Sequence, residues 1–225
     1  MVQSQIPSHL QSTVHASIEA VLFDLSGTLL NDLPTVYRGF VDLRKTRKKN
    51  PPSLNQFRKE FKLPYTEFLE EKGFANIDDA ISFWKARYSS YGDSIRLFGD
   101  VKPALKMLKT HRGIKLGAVS QTPKDKVEEN LNRFQIRDFF DAIVFDNWKP
   151  KPNGLMLALE GLNIAPRMNV IYVGDMREDC QAARLAGITP WVIYREKGSF
   201  HDLDTLRKAS PARIIKSLAE LNSLF

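Results

Sequence analysis

The chain of 225 residues contains one cysteine, Cys180, so it can form neither an internal disulfide nor a cysteine-rich zinc module. No stretch approaches the roughly 20 consecutive apolar residues that span a bilayer. No Lys or Arg precedes Arg38, so the leader MVQSQIPSHLQSTVHASIEA lacks the basic start of a secretory signal and the arginines of a transit peptide. Residues 1–19 are polar and are expected to form a poorly ordered arm or a short surface helix. A cytoplasmic protein with no membrane partner is the expectation. The four histidines, at 9, 15, 111 and 201, show no ligand or catalytic spacing.

The rest of the composition is that of an ordinary globular chain. About 43% is hydrophobic and 26% charged, and 33 Lys+Arg against 26 Asp+Glu give a net charge of +7. The length suits one large domain, or one domain carrying an insertion. The charge is partly local: residues 31–98 hold 13 basic and 9 acidic side chains, 13 − 9 = +4 of the +7. The densest run, RKTRKK at 44–49, could meet a nucleic acid or another anion. It reads better as the solvated last turn of a helix, where cations suit the dipole, because Pro51-Pro52 stops the chain just beyond. Nucleic acid is therefore not expected as a partner.

Residues 31–98 also hold 12 of the 23 aromatic side chains, and their spacing is helical. Tyr37 and Phe40 share a face, Leu54, Phe57 and Phe61 repeat at three and four, and Ile77, Ile81, Trp84 and Tyr88 follow Asn76 as an N-cap. Such stripes are more often core than ligand contacts, so this segment reads as a compact helical unit with its own core.

The flanking sequence has a different grammar. Short β-rich runs at 20–25, 114–119, 142–145, 169–173 and 191–194 alternate with helical patterns at 101–109, 122–134, 153–162 and 177–186. Thr122-Pro123 opens a helix, and Gly113 and Gly187 sit where helices end. Ser210-Pro211 opens a last amphipathic helix carrying Ile214, Ile215, Leu218 and Leu221. This alternation predicts an α/β fold: a Rossmann-like, mainly parallel sheet with helices on both faces and an inserted all-helical cap. The core would comprise residues 20–30 and 99–225, and the cap residues 31–98.

Ligands of open parallel sheets bind beyond the carboxyl ends of the strands. Four strands end in polar clusters: Asp24-Leu25-Ser26-Gly27-Thr28, Ser120-Gln121-Thr122, Lys149-Pro150-Lys151-Pro152, and Gly174-Asp175 with Asp179 beyond. Each has a bland reading alone: a turn cap, a helix start, a surface lysine, first-turn charges. Together they offer hard oxygens for a divalent cation, and donors with a lysine for phosphoryl oxygens.

These pieces resemble the haloacid dehalogenase-like hydrolase superfamily. The resemblance rests on VLFDLSGTLL at 21–30, GAVSQT at 117–122, KPKPNGLMLAL at 149–159 and VGDMREDCQAARLAG at 173–187. The helical insert and LFGDVKPALKML at 97–108 resemble the phosphoglycolate phosphatase and phosphonatase branch. The resemblance implies a small phosphorylated substrate and Mg²⁺. It implies Asp24 as the nucleophile that forms an aspartyl-phosphate. The metal would lie against Asp24, the Ser26 carbonyl and Asp175, with Asp179 in support. Ser120 and Lys149 would hold phosphoryl oxygens, with backbone N–H groups of Gly27 and Gln121, and Thr28 would orient Asp24 through a hydrogen bond in its loop.

One position departs from the family pattern. Its phosphatases usually carry a second aspartate two residues after the nucleophile, as general acid and base, and here that residue is Ser26. Such help is typically worth about 10²- to 10⁴-fold. Three readings follow: a phosphatase with weaker acid help, with cap groups or waters in its place, or with a leaving group that needs little protonation; a phosphonatase-like enzyme using a cap lysine among Lys45, Lys48, Lys49, Lys59 and Lys62; or a weakly active or inactive binding or regulatory protein.

Overall fold

A computed structural model describes residues 18–110, 114–146, 152–166 and 169–224. Eight strands and nine α-helices are present among them. β1 (Ala20–Phe23) and β2 (Leu30–Asn31) lead into α1 (Leu33–Thr46), α2 (Leu54–Glu60), α3 (Tyr65–Glu71) and α4 (Ile77–Ser90). The chain returns through β3 (Arg96–Leu97) to α5 (Val101–Thr110), β4 (Lys115–Val119), α6 (Lys124–Arg133), β5 (Ala142–Val144) and α7 (Asn153–Leu162). It ends with β6 (Val170–Gly174), α8 (Arg177–Leu185), β7 (Thr189–Ile193), α9 (Leu203–Lys208) and β8 (Arg213–Ile215).

Six strands form one parallel sheet in the order β5-β4-β1-β6-β7-β8. β1 is central, and Ala20, Val21, Leu22 and Phe23 have no exposed surface. Their side chains alternate between faces: Val21 and Phe23 join the cluster of Leu105 and Leu108 from α5, while Ala20 and Leu22 join that of Leu155 and Leu159 from α7. A strand buried on both faces has to be apolar throughout, which is why VLF reads as a continuous run. Pairing begins one residue before the expected start, because the Glu19 N–H donates to the Asn169 carbonyl at 3.0 Å and the Glu19 carbonyl accepts from Lys115 N at 3.0 Å. Residues 1–17, Gly113 and Lys149 lie outside the described residues.

The helices α1–α4 sit between β2 and β3, which pair antiparallel at the base of this excursion. Their aromatic stripes meet in one cluster, with Phe40 5.3 Å from Trp84 and 5.1 Å from Phe68 between ring centroids, and Phe57 5.0 Å from Phe61. Asn76 caps α4, accepting from the Asp79 N–H at 3.2 Å. The basic run at 44–49 is the frayed end of α1: Arg44 donates to the carbonyls of Asn50 and Lys72.

One expectation fails in the C-terminal third. The segment after Ser210-Pro211 is not a helix. Arg213–Ile215 forms β8 against β7, and a 3-10 helix follows at Leu218–Leu224. The open edge of β7 offers backbone partners to the β-branched pair Ile214-Ile215, and this pairing overrides a spacing of three and four. The helix α9, capped by Asp202 accepting from Thr205 N at 2.8 Å, lacked a visible signal. The helix expected at Thr122 starts at Lys124, with Pro123 in the capping position. Gly187 ends α8 at φ +70°, as its position suggested.

Truncating Phe57, which has no exposed surface at the centre of the helical cluster, is expected to cost about 3–5 kcal/mol. Urea denaturation of Phe57→Ala against the parent measures it.

Candidate active site at the strand ends

The register of β1 assembles the site. Phe23 lies level with Ala118 of β4 and Val173 of β6, so Asp24, Ser120 and Asp175 emerge together at the carboxyl edge. Asp24 is 4% exposed, Ser120 2% and Asp175 0%. Carboxylate oxygens of Asp24, Asp175 and Asp179 lie within 4.8 Å of one another. Buried like charges so close repel strongly unless neutralised. Three hard oxygen donors in that arrangement suit a divalent cation such as Mg²⁺.

Local structure explains the convergence. Asp175 follows the last residue of β6, and its Oδ2 accepts from the Phe200 N–H at 2.5 Å. Asp179 lies in the first turn of α8: Oδ2 accepts from Met176 N at 2.9 Å and Oδ1 from the Tyr172 hydroxyl at 3.1 Å. It therefore caps its own helix as well as facing the cluster, and a carboxylate has lone pairs for both tasks. Two glycines make room. A Cβ on Gly174 would lie 2.2 Å from the Asp179 carboxylate, and one on Gly27 would lie 2.2 Å from Asp175 Oδ2. Gly27 also adopts φ +73°, which side-chain-bearing residues rarely do.

The loop after Asp24 corrects two expectations. The Gly27 N–H donates to the Leu30 carbonyl at 2.8 Å and to Asp32 Oδ1 at 3.1 Å, so the turn consumes the donor assigned to phosphate. Thr28 Oγ1 is buried and makes no hydrogen bond, so it orients nothing through its side chain. The Thr28 carbonyl is used instead, accepting from Arg195 Nε at 3.1 Å and Nη2 at 3.0 Å. Arg195 is held in turn by Asp100 at 2.9 Å and lies over the Phe98 ring. This brace joins parts of the chain far apart in sequence, and no motif announced it.

Ser26 has an unexpected partner. Its hydroxyl donates to Asp32 Oδ2 at 2.8 Å, and Tyr88 of α4 donates to the same oxygen at 3.0 Å. Asp32, the residue before α1, has no exposed surface, and burial pushes its carboxyl up to about 6.

Asp24, Ser26, Ser120 and Gln121 line a cavity of about 140 Å³ that continues upward between the sheet edge and the helices. The Ser120 hydroxyl accepts from Thr122 N at 3.1 Å and keeps its proton for another acceptor. The Gln121 side-chain amide is buried in the wall with no hydrogen-bond partner on either atom. The sequence suggested only its backbone. None of Lys45, Lys48, Lys49, Lys59 and Lys62 lines the cavity, and Lys62 pairs with Glu71 at 2.7 Å. The described lysines in its wall are Lys85 and Lys126.

Beyond the cavity, α2 is fastened to the sheet domain. Arg58 donates to the carbonyls of Glu196 at 2.9 Å and His201 at 3.0 Å. His201, 1% exposed, accepts the Arg177 N–H at Nδ1 and faces the Phe61 carbonyl through Nε2 at 2.9 Å. Nδ1 as acceptor leaves the ring proton on Nε2, a neutral imidazole, in keeping with burial lowering its pKa. A histidine with no ligand spacing thus becomes part of the fastening.

With this geometry in view, comparison with known proteins is direct. Residues 21–193 match the family model described as haloacid dehalogenase-like hydrolase. The chain belongs to that family. It is 30% identical over 219 residues to the phosphorylated carbohydrates phosphatase of Thermotoga maritima, covering 92% of this chain and 98% of that one. It is 29% identical over 180 residues to pyrophosphatase PpaX of Bacillus cereus, covering 76% and 80%. A haloacid dehalogenase-like family hydrolase from Streptococcus pneumoniae superposes with TM-score 0.79 at 23% identity, over 92% of this chain and 97% of that one. A family hydrolase from Deinococcus radiodurans, crystallised with bound phosphate and sodium, has TM-score 0.72 at 19% identity, over 92% and 95%. Among the described residues, no helix is long and apolar enough to cross a membrane.

Asp32 makes this site's environment measurable through pH. Its folded value of about 6 exceeds the ordinary 3.8, so the folded chain keeps a proton that the unfolded chain releases. Its contribution is fully present below about pH 4 and is lost as pH rises through 6, about 3 kcal/mol in all. Relative to Asp32→Asn, the parent should lose that much stability between pH 4 and 7 in denaturant titrations.

Proposed function

We propose that this hydrolase is an Mg²⁺-dependent phosphatase acting on a small phosphorylated compound through an aspartyl-phosphate on Asp24. The observation that carries the reading is the buried carboxylate set Asp24, Asp175 and Asp179, of which Asp24 lines the cavity together with Ser120. The named phosphatase and pyrophosphatase relatives support the same chemistry. Residues 31–98 act in this reading as the cap that covers the substrate.

A carboxylate oxygen of Asp24 attacks phosphorus. An Asp24–phosphorus bond forms, and the bond to the leaving oxygen breaks with its electron pair going to that oxygen. Water then attacks phosphorus, and inorganic phosphate departs as the Asp24 carboxylate is restored. The proton lost by water reaches the departed oxygen through solvent. Ser120 donates its hydroxyl proton to a phosphoryl oxygen, the Gln121 amide offers a further donor, and Lys149 supplies the positive charge that the family resemblance assigns to it. Asp24, the Ser26 carbonyl and Asp175 would hold Mg²⁺, with Asp179 supporting them, and a cation held there would supply positive charge against the transferring phosphoryl group.

The Ser26 hydroxyl is no substitute for the missing acid. It is not acidic near neutral pH, and its proton points to Asp32 rather than to the leaving oxygen. Tyr88 completes that contact from the cap side, so Ser26 is a tie within the loop.

Phosphate release with Mg²⁺ should be lost in Asp24→Asn. Equal activity in the two proteins would remove Asp24 as nucleophile. Mg²⁺ should raise the Tm of the parent but not that of Asp175→Asn, since a ligand that binds only the folded state stabilises it by mass action. Ser26→Asp should raise kcat at least tenfold for an alkyl phosphate, whose leaving group needs a proton.

A further inference from the structure

The wall of the cavity above Asp24 is mostly carbon, with Gln121, Lys85 and Lys126 among its polar members. Tyr65, Ile81, Trp84 and Tyr88 come from α3 and α4, Phe61 from the end of α2, and Phe200 from the loop after β7. Trp84 stands 5.5 Å from Tyr65 and Phe61 5.2 Å from Phe200 between centroids, so the rings brace one another across the boundary between cap and sheet domain. Apart from Asp24 on the floor, no carboxylate appears in the described lining. Carboxylates and amides are the groups that read sugar hydroxyls, and beyond Asp24 the described lining offers one of them, the Gln121 amide, so most hydroxyls of a sugar would lose their hydrogen bonds to water against the apolar wall. The cavity of about 140 Å³ compares with the roughly 150 Å³ apolar cavity known to admit one benzene ring.

A second, independent observation concerns the chemistry. With its hydroxyl tied to Asp32, Ser26 brings no acid to the position where the family's phosphatases carry one. Such a site favours a leaving group that carries its own negative charge. A phenol ionises near pH ~10, as tyrosine does, whereas an aliphatic alcohol, like water, holds its proton to far higher pH. Wall and missing acid select the same molecules.

We propose that the substrates are aryl phosphates: a phosphoryl group on a phenolic oxygen, with a single ring seated against Trp84, Tyr65 and Ile81. This inference rests on the phosphatase reading above. Asp24 takes the phosphoryl group as described, and the phenolate leaves with the bond's electron pair and is protonated by solvent.

The test measures Asp24-dependent kcat/KM with Mg²⁺ for phenyl phosphate, cyclohexyl phosphate, glucose 6-phosphate and acetyl phosphate. Cyclohexyl phosphate keeps the apolar bulk but not the easy leaving group. Acetyl phosphate keeps the easy leaving group without the ring. Phenyl phosphate should exceed cyclohexyl phosphate and glucose 6-phosphate at least tenfold each. Ile81→Asp, at a half-buried wall position of α4, should lower the phenyl-to-acetyl ratio at least tenfold, mainly through KM. Asp24-dependent hydrolysis of glucose 6-phosphate that matches or exceeds phenyl phosphate overturns the aryl assignment and leaves the phosphatase standing. So does an unchanged ratio in Ile81→Asp. No Asp24-dependent phosphate release from any of the four, acetyl phosphate included, overturns the phosphatase reading and this inference with it.

Discussion

The parallel register of β1 between β4 and β6 is the constraint on which the rest depends. It brings residues from three distant parts of the chain to one edge, and places three carboxylates within 4.8 Å of one another in a buried position. Such a cluster is costly, and its surroundings are arranged to bear it. The Phe200 and Met176 N–H groups and the Tyr172 hydroxyl all donate into it, and Asp179 sits at the positive end of α8. A slip of register would part these groups.

Close approach then limits which residues can stand beside the cluster. Gly27 and Gly174 are there because a Cβ at either would overlap an aspartate. The loop between Asp24 and β2 is held in two ways: from inside by Gly27 and Ser26 on Asp32, and from outside by Arg195 on the Thr28 carbonyl. Arg195 is in turn fixed by Asp100, which also accepts from Ser217 and Leu218, so the C-terminal segment stiffens the loop. The setting of Asp24 therefore depends on residues almost two hundred positions away.

The helical unit is tied to that setting as well. Arg58 and His201 fasten α2 to the loop after β7, and Tyr88 reaches Asp32 from α4. The aromatic residues of the unit do two jobs at once. Phe40, Phe57 and Phe68 fill its interior, while Trp84, Tyr65 and Phe61 also form the roof of the cavity. Core and wall share one continuous apolar surface, so replacing a roof residue can alter both stability and what the cavity accepts.

The strand–helix alternation, the polar clusters at strand ends and the aromatic stripes were legible in the amino-acid sequence because each is a local pattern: a short apolar run, a turn glycine, a spacing of three and four. They sufficed for the α/β fold and for Asp24, Ser120, Asp175 and Asp179 as candidate site residues, while the departure at Ser26 was visible only against the family resemblance. What only tertiary structure decided depended on partners distant along the chain. Residues 213–215 carried a helical spacing yet became a strand, because β7 offered an open edge. His201 carried no spacing at all and became part of the fastening beneath α2. Gly27 lost its assigned role as a donor because Leu30 and Asp32 claimed its N–H. Ser26 was visible as an absence of acid, but its bond to Asp32 and the apolar roof above it appear only once the helices fold back over the strand ends. Periodicity tells which residues share a face, and tertiary packing decides what that face meets.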